Sequence, residues 1–385
     1  MADQIRAPHV LIIGSGIVGL LIAQGLKKQN ISFEIFESEP SATTYRPREW
    51  GMSVQWGLPM LKDLLPGELF DRIHTAAVDP NFDPPDPSFV PAFNGATGEL
   101  LKNIPLPRMY RMPRRGFRTF CAQGINVQYG KALKSIIYDD EKSGVTAVFE
   151  DGSHATGTLL IGADGAQSRV RISILGEKGQ PSSVPYSAVN LHVCYNDAEK
   201  ARFVRQAHPI IQEVPDPDDP ATWLFQLQTT WKKKEGEEDE VGSLANLKAK
   251  AATFGEPFRS ANLWIPEGTK VHVNKMSYWI PIPWDTRGGR VLLAGDAGHP
   301  MTFQRGQGLN HGIADARSIV LKYKDAVDGK TTFEEASIAY RDELVDRAGD
   351  EVRSSLENTE MLHDWERVAS SPIMQRGGHA RDSNK

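Results

Sequence analysis

The sequence predicts an α/β fold in which a parallel-sheet unit is interrupted by a mostly β insertion and followed by C-terminal helices. Three observations predict it. A buried strand, a glycine-rich turn, a helix and a second strand follow one another within His9–Phe36. This alternation does not continue, because Pro181–Pro283 is mostly extended and rich in aromatic residues and prolines. A strand, a glycine-rich turn and a helix then return in Arg290–Ala316.

The composition of the 385 residues, 40% hydrophobic and 24% charged, is that of an ordinary globular protein. The net charge of −5 argues against a nucleic-acid partner. The two cysteines, Cys121 and Cys194, lie far apart, and no group of His, Cys and carboxylate residues has metal-ligand spacing, so no metal site is predicted. No apolar run approaches the length of a membrane span, and the N-terminus lacks a leader pattern. We therefore expect a cytoplasmic protein with no transmembrane segment.

The first motif is the turn Gly14-Ser15-Gly16-Ile17-Val18-Gly19 between the first strand and the first helix. In such a turn Gly14 makes the tight bend, Gly16 admits a pyrophosphate, and Gly19 lets helix and strand pack closely. The pyrophosphate would lie at the helix N-terminus, where the dipole favours negative charge. Glu37 ends the second strand and is expected to bind ribose hydroxyls, which favours FAD or NAD over a 2′-phosphorylated dinucleotide. The motif alone does not separate FAD from NAD.

Two further motifs each follow a buried strand. Val145–Arg171 is predicted to form two strands joined by a turn at Asp151-Gly152, the second running to Asp164-Gly165. Arg290–Ala316 is predicted to form a strand that ends at Gly295-Asp296, and then a glycine-rich turn and a helix. An Asp-Gly turn after a buried strand is an alternative explanation for Asp164.

In this order the three motifs, G-S-G-I-V-G, G-A-D-G-A-Q-S-R-V-R and G-D-A-G-H-P, resemble those of the single-component FAD-dependent aromatic hydroxylases. These are the para-hydroxybenzoate hydroxylase family of class A flavoprotein monooxygenases. The stretches "REWGMSVQWGLPMLKDLLP" and "YRMPRRGFRTFCAQGINVQYGK" are similar to the fungal secondary-metabolism branch of that family. The resemblance covers most of Val10–Ala316 and implies a Rossmann-like FAD-binding domain with an inserted, mostly β substrate domain and C-terminal helices.

The resemblance and the composition together divide the chain into segments. The expected segments are parts of an FAD-binding domain at 1–75, 106–180 and 284–325, a substrate-domain crossing at 76–105, a substrate-binding β-sheet domain at 181–283, C-terminal helices at 326–368 and a polar tail at 369–385. The tail is expected to be disordered because of its polar composition.

Beyond the first motif, the resemblance implies FAD contacts for Gly51, Arg114, Asp164, Asp296, Gly308 and Leu309. Asp296 is expected to reach the ribityl chain. Gly308 and Leu309 are expected to lie against the isoalloxazine at a helix N-terminus, which would stabilise the anion of the reduced flavin. Arg114 is expected near the FAD phosphates or ribose, Asp164 near FAD and nicotinamide, and Gly51 in a backbone contact. An exposed arginine that is merely solvated is the alternative for Arg114.

The resemblance implies an FAD-dependent monooxygenase. In this family NADPH or NADH reduces FAD, and O2 then gives a flavin C4a-hydroperoxide. That species transfers one oxygen to an electron-rich aromatic or alkene-containing small molecule. The alternatives are a reductase or dehydrogenase of the same fold without oxygen insertion, and a non-catalytic flavin-binding regulator, which would bind FAD but show no substrate-stimulated NADPH oxidation. A flavin halogenase would carry a W-x-W-x-I-P signature, which is missing here. Hydroxylation, epoxidation and Baeyer–Villiger insertion stay open, as do the substrate and the oligomeric state.

Candidate substrate contacts come from aromatic side chains. Trp223, Phe225 and Trp231 alternate onto one strand face and could form a wall of the substrate site, although such rings more often form core. Phe303 stands where family members commonly carry the second proline of His-Pro-x-x-Pro. It either follows the same backbone path as a tolerated substitution or stacks on substrate or flavin. His192, Tyr195 and Arg202 could activate a phenol, but nothing ranks them, so no catalytic base is assigned.

Overall fold

The computed structural model describes residues 8–44, 49–139, 144–208, 212–233 and 243–378. Its strands are β1 His9–Ile13, β2 Ser32–Phe36, β3 Gly51–Val54, β4 Ser88–Phe93, β5 Leu100–Leu106, β6 Tyr110–Pro113, β7 Val127–Gln128, β8 Leu133–Asp139, β9 Gly144–Phe149, β10 His154–Gly157, β11 Leu159–Gly162, β12 Ser182–Cys194, β13 Gln212–Glu213, β14 Leu224–Lys232, β15 His272–Tyr278 and β16 Val291–Leu293. Its α-helices are α1 Ile17–Lys28, α2 Leu61–Leu64, α3 Gly67–Asp71, α4 Arg114–Cys121, α5 Arg169–Leu175, α6 Ala198–Arg205, α7 Leu244–Ala251, α8 Phe258–Leu263, α9 Gly308–Val327, α10 Phe333–Leu362 and α11 Pro372–Arg376.

A five-stranded parallel sheet in the order β16–β11–β1–β2–β7 forms the centre of the main hydrophobic core. Strand β1 pairs with β2 from His9 opposite Ser32 onward, and with β11 on its other side. Its residues Val10, Leu11 and Ile12 are fully buried, which explains the continuous apolar run of a strand covered on both faces. The predicted α/β fold class is confirmed.

Helices α1 and α9 pack closely because glycines stand where they meet. A Cβ atom at Gly312 would lie 2.5 Å from Val18 Cγ2, and one at Gly295 would lie 2.9 Å from the same atom. The turns that follow β1 and β16 therefore lie beside each other at the carboxyl edge of the parallel sheet. This edge is where ligands bind in open α/β sheets.

An antiparallel sheet in the order β13–β14–β12–β15 lies within the predicted insertion. Phe225 on β14 stands opposite Val193 on β12, and both are buried in a second hydrophobic core. Val204, Leu247 and Ala261, from helices α6, α7 and α8, belong to the same core. One face of this sheet is therefore covered by helices. Shorter antiparallel pairings join β3 with β6, β4 with β5, and β9 with both β8 and β10.

The hairpin predicted around Asp151-Gly152 is confirmed, since β9 and β10 pair antiparallel on either side of that turn. The expectation that its second strand runs unbroken to Asp164 is wrong. The chain leaves the antiparallel sheet after Gly157 and enters the parallel sheet as β11. A Cβ atom at Gly157 would lie 2.5 Å from the carbonyl oxygen of His9, so only glycine allows the crossing so close to β1.

The polar tail is not disordered over its first part, contrary to the prediction. Helix α11 begins at Pro372, and both Pro372 and Met374 are buried. Met374 packs with Ile104 and Met109, so a few apolar side chains outweigh the polar composition. The end of the tail, 379–385, lies outside the described residues. No helix in the part of the chain that the structure describes is long and apolar enough to cross a membrane.

Candidate cofactor and substrate site

The first glycine-rich turn is shaped by two close approaches and one open position. Gly14 has φ +103°, and its Cβ atom would lie 2.4 Å from the carbonyl oxygen of Ala163. A Cβ atom at Gly19 would lie 2.1 Å from the carbonyl oxygen of Gly14. At Gly16 the nearest atom would be 4.0 Å away, and no side chain caps helix α1. An uncapped helix N-terminus with open backbone in front of it fits the diphosphate of FAD.

Glu37 lies beside this turn with its carboxylate already supplied with protein donors. Its Oε2 accepts from the N–H and hydroxyl of Ser15 at 2.9 and 3.0 Å. Its Oε1 accepts from the Ser38 hydroxyl at 3.1 Å and the Glu39 N–H at 3.0 Å. Burial raises the pKa of Glu37, but these hydrogen bonds and the charge of Arg118 outweigh it and lower the pKa overall. A ribose hydroxyl would have to share these acceptor positions.

Arg118 is a buried member of this site that sequence reasoning missed. Its Nε donates to the Ser15 carbonyl oxygen at 2.9 Å, and a terminal nitrogen donates to the Ser15 hydroxyl at 2.8 Å. Its other terminal nitrogen pairs with the Glu39 carboxylate at 2.5 Å. The available signal was spacing, because Arg118 lies one helical turn after Arg114 on α4 and therefore on the same side.

Arg114 and Asp296 come together at the carboxyl edge of the sheet. The Arg114 guanidinium lies 4.9 Å from the centre of the Trp50 ring, and its charge acts on Asp296. Desolvation by surrounding protein raises the pKa of Asp296. The charges of His299, Arg114 and Arg171 act in the opposite direction but do not outweigh the desolvation. The side chain of Asp296 is exposed, so a ligand can reach it. Its carboxylate can accept ligand hydroxyls.

Helix α9 begins beside Asp296 with an open face. A Cβ atom at Gly308 would lie 3.8 Å from Asp296 Oδ1, and no side chain caps the helix. Leu309 packs against the main core, as do Ile313 and Val320. The predicted helix and its apolar face are confirmed. The expected isoalloxazine contacts of Gly308 and Leu309 stay predictions.

Asp164 makes hydrogen bonds to other residues of the protein. It accepts from the Ser168 hydroxyl at 2.6 Å and from the N–H groups of Arg169 and Val170 at 2.7 and 3.2 Å. Burial raises its pKa against these hydrogen bonds. The carboxylate thus binds backbone N–H groups at the start of α5. The Cα atom of Asp164 would lie 2.9 Å from a Cβ atom at Gly14. The structure places Asp164 against the first turn, and its proposed FAD contact stays a prediction.

A buried ion-pair network supports the turn that carries Asp296. Asp315 is fully buried, and its carboxylate accepts hydrogen bonds from the Gly295 N–H at 2.7 Å and from Arg347 at 2.6 Å. His299 Nε2 lies 2.7 Å from the same carboxylate. Burial raises the pKa of Asp315, but His299 and Arg347 lower it overall. Arg347 also lies 2.7 Å from His311 Nδ1. No motif predicted this network, because its members come from the loop before α9, from α9 and from α10.

A cavity of about 670 Å³ opens beside the second glycine-rich turn. Gly306 and Ser53 line it, and a Cβ atom at Gly306 would lie 3.6 Å from the Ser53 hydroxyl. Aromatic and aliphatic side chains supply much of its wall, including Phe93, Ile104, Met109, Phe254, Phe258 and Phe303. Its volume and its mixture of apolar walls with a few polar groups suit a small-molecule substrate.

The structure does not bring Trp223 and Phe225 to this cavity. The Trp223 Nε1 donates to the Asp216 carbonyl oxygen at 2.9 Å, and Phe225 is fully buried; both rings belong to the second core. Trp223 lies just before β14, and Phe225 on that strand faces the helices of the second core, against which Trp231 also packs. Gln228, Thr229 and Thr230 line the cavity instead. The sequence shows that alternate residues share a face but not which face is covered.

Phe303 lies at the cavity wall, partly buried against a small apolar cluster that includes Tyr186 and Met276. Its carbonyl oxygen accepts from the Gly306 N–H at 2.8 Å, and Gly306 has φ +65°. The chain therefore makes a tight turn here without the proline that the family commonly has. Stacking of Phe303 on substrate or flavin stays a prediction.

Gly51 has a role that the sequence did not indicate. Its N–H donates to Gln226 Oε1 at 2.5 Å, and its Cβ atom would lie 2.4 Å from Arg111 Nε. Glycine at this position therefore makes room for a guanidinium that lines the cavity. The expected backbone contact of Gly51 with FAD stays a prediction.

Two further segments position the cavity wall. Asn310, fully buried on α9, donates to the Ser53 carbonyl oxygen at 3.0 Å and accepts from the Gln55 N–H at 2.8 Å. Asn310 thereby links β3 to the start of α9, which follows the second glycine-rich turn. Gly378 also lines the cavity, and its carbonyl oxygen accepts from Gln307 at 3.4 Å. The chain after α11 thus closes one side of the site.

The unranked acid–base candidates lie in different surroundings. Tyr195 donates to the Ala261 carbonyl oxygen at 2.7 Å inside the second core, and burial raises the pKa of its phenol. His192 lies 3.8 Å from Glu213, outside the cavity wall, and burial lowers its pKa. Neither is presented to the cavity. Among the described residues no group of three His, Cys or carboxylate side chains could hold a metal ion.

Comparisons with known proteins identify the family of this chain. A family model described as an FAD binding domain matches residues 120–348, and one described as an NAD(P)-binding Rossmann-like domain matches residues 12–71. The FAD-dependent monooxygenase phnB of Penicillium herquei is 41% identical over 391 residues, covering 96% of this chain and 94% of that protein. The FAD-dependent monooxygenase cctM of Talaromyces islandicus is 38% identical over 395 residues, covering 97% and 98%.

Solved structures share the fold. The HpxO protein of Klebsiella pneumoniae, complexed with FAD and uric acid, superimposes with a TM-score of 0.74 at 21% identity, covering 96% of this chain and 92% of that one. A salicylate hydroxylase substrate complex gives a TM-score of 0.72 at 18% identity, covering 96% and 92%. The fold is thus that of flavin-binding enzymes, while the family rests on the sequence relatives and the family model. The chain belongs to the FAD-dependent monooxygenases.

Proposed function

We propose that this protein uses NADPH or NADH and O2 to insert one oxygen atom into an electron-rich aromatic or alkene-containing small molecule. The observation that carries the proposal is that Gly306 belongs both to the cavity wall and to the glycine-rich turn that leads into α9. A ring bound against that turn would have one face toward an apolar cavity of about 670 Å³. Substrate and cofactor would then lie in contact.

The residues at the carboxyl edge of the parallel sheet fit FAD. We propose that the N-terminus of α1, with Gly16 in front of it, binds the diphosphate. Asp296 would bind ribityl hydroxyls, and Arg114, whose charge acts on Asp296, would lie beside the same chain. The N-terminus of α9 would stabilise negative charge on the ring. When bound and reduced by NAD(P)H, FAD supplies the activation of O2.

The cavity wall contributes by excluding water. Rings such as Phe93 and Phe258, which contact each other edge to face at 5.4 Å between centroids, close one side. The chain around Ile373 and Gly378 closes another. A dry cavity limits loss of reducing equivalents to hydrogen peroxide, because water and stray protons are kept from the reacting groups.

We also propose that the enzyme acts in the cytoplasm on a small molecule of fungal secondary metabolism. The relatives named above are fungal monooxygenases that match this chain over nearly its whole length. Cys121 and Cys194 are both free thiols, which suits a reducing compartment.

The proposal is tested with purified protein and a panel of electron-rich aromatic and alkene-containing compounds. We expect a yellow protein that releases FAD on denaturation. NADPH or NADH oxidation should be slow alone and accelerated by a subset of compounds whose products gain one oxygen atom. Accelerated oxidation that yields a dehydrogenated product without added oxygen would support the reductase or dehydrogenase alternative and refute the monooxygenase.

A further inference from the structure

The cavity contains one guanidinium without a charged partner among the described residues. Arg111 lines the wall, and its terminal nitrogens donate to the Ser53 hydroxyl at 3.2 Å and to Gln226 Oε1 at 3.1 Å. Both partners are neutral. The other arginine of the wall, Arg305, pairs with Glu351 at 3.4 Å. Arg111 therefore presents a positive charge that the described protein does not neutralise.

Neighbouring residues fix the position of the Arg111 side chain. Gly51 supplies the space for it, since a Cβ atom there would lie 2.4 Å from Nε. Gln226, which accepts from Arg111, also accepts from the Gly51 N–H at 2.5 Å and is thereby fixed. Burial lowers the pKa of Arg111 to about 10, so the charge is retained at neutral pH at a cost in desolvation. A ligand anion would offset that cost.

The remaining walls indicate what kind of anion fits. The volume of about 670 Å³ is larger than a single aromatic ring needs and lies within the range of drug-sized ligands, about 300–1,000 Å³. Phe93, Phe254 and Phe258 supply flat apolar surface, and Phe303 lies beside the glycine-rich turn. Such walls suit a multi-ring aromatic body that carries its charge at one end.

We propose that the substrate is a multi-ring aromatic or conjugated compound with an anionic oxygen, and that Arg111 binds this oxygen. The inference rests on the monooxygenase function proposed above. A guanidinium presents paired N–H donors that match a carboxylate or a phenolate or enolate oxygen. A phenolate or enolate would also raise the electron density of the ring that accepts oxygen.

The test measures binding to the holoenzyme by isothermal titration calorimetry at about pH 8. The probes are 2-naphthoate, 4-nitro-1-naphthol, which is ionised at this pH, and neutral 2-acetonaphthone. The variants are Arg111→Gln and Arg111→Lys, and the matched control is Arg108→Gln, which removes an exposed guanidinium paired with Asp83 at 2.9 Å. FAD content is measured for each variant.

We expect at least one anion to bind the wild type more tightly than the ketone. Arg111→Gln should weaken binding of that anion about tenfold or more, and Arg111→Lys should weaken it less. Binding of the ketone to Arg111→Gln should weaken less than about twofold, and both variants should retain FAD. Tighter naphtholate binding would identify a phenolate or enolate, and tighter naphthoate binding a carboxylate. Equal weakening of anion and ketone, no preference of the wild type for either anion, or loss of FAD from Arg111→Gln would overturn the inference. NADPH oxidation with one-oxygen insertion, measured separately on the wild type, reports on the proposed function alone.

Discussion

Alanine at Gly16 should separate cofactor binding from folding. Gly16 has φ −63° and ψ 173°, which alanine adopts without strain, and its Cβ atom would approach no protein atom closer than 4.0 Å. Alanine should stabilise the folded state by about 0.4–1 kcal/mol, because it reduces the conformational entropy of the unfolded chain. It should also destabilise it by about the same amount, because alanine is a poorer helix N-cap than glycine, so the two effects nearly cancel. The free energy of unfolding of the apoprotein should therefore change by less than about 1 kcal/mol.

FAD binding should respond very differently to the same change. If the diphosphate lies against Gly16, the new methyl group occupies its place. Overpacking of this kind costs about 1–3 kcal/mol, which corresponds to a rise of about 5- to 150-fold in the Kd for FAD. The Kd is measured by quenching of flavin fluorescence with deflavinated protein, and stability by urea denaturation of the same preparation.

Gly19→Ala is the matched control for this prediction. A Cβ atom there would lie 2.1 Å from the carbonyl oxygen of Gly14, a backbone atom that cannot move aside freely. The usual gain of about 1 kcal/mol for alanine over glycine in a helix should therefore be reversed, and the apoprotein should be destabilised. Wild-type FAD affinity in Gly16→Ala would refute the placement of the diphosphate.

Four further results are expected. Asp315→Asn should lower the free energy of unfolding by about 1–3 kcal/mol, because it removes the buried carboxylate that His299 and Arg347 share and leaves Arg347 with Glu343 alone; an unchanged free energy of unfolding in urea denaturation would contradict this. Because the pKa of Glu37 is lowered on folding, its contribution to apoprotein stability is present above the ordinary glutamate pKa of about 4.3 and is lost as pH falls through the lower folded value. Urea denaturation from pH 6 down to pH 3 should therefore show a smaller acid loss for Glu37→Gln, and an unchanged acid loss would count against it. Deletion of residues 372–385 should open the cavity and raise the peroxide formed per NADPH consumed, whereas deletion of 379–385 alone should raise it less; equal leakage from both would argue against closure of the cavity by α11. Phe303→Pro should retain FAD but alter the same peroxide yield, and unchanged product and peroxide yields would leave Phe303 as ordinary packing.

The sequence predicted the parts of the site that depend on local backbone geometry. The turn from Gly14 to Gly19 and the turn before α9 follow from glycines placed between a buried strand and an amphipathic helix, and the structure confirms both elements. Asp296 was predicted at the end of its strand, and it stands beside Gly308 at the open cleft. Such features are encoded within a short stretch of chain.

Features that depend on contacts between distant segments were not predictable. Asp315 and its partners lie on three different segments of the chain, so no spacing in the sequence relates them. No motif indicated a role for Arg111, because its importance depends on the space above Gly51 and the absence of a nearby carboxylate among the described residues. The alternation on β14 was visible, but the sequence did not show whether the face that carries Phe225 lines the substrate site or the second core.

The central claim is that the flavin ring binds at the second glycine-rich turn with one face toward the cavity. A crystal structure of the FAD complex tests it most directly. We predict diphosphate density at the N-terminus of α1 and isoalloxazine density against Gly306–Gly308, with the ring open to the space lined by Phe303 and Arg111. A ring bound with both faces covered by protein, or at a distance from Gly306, would contradict the account.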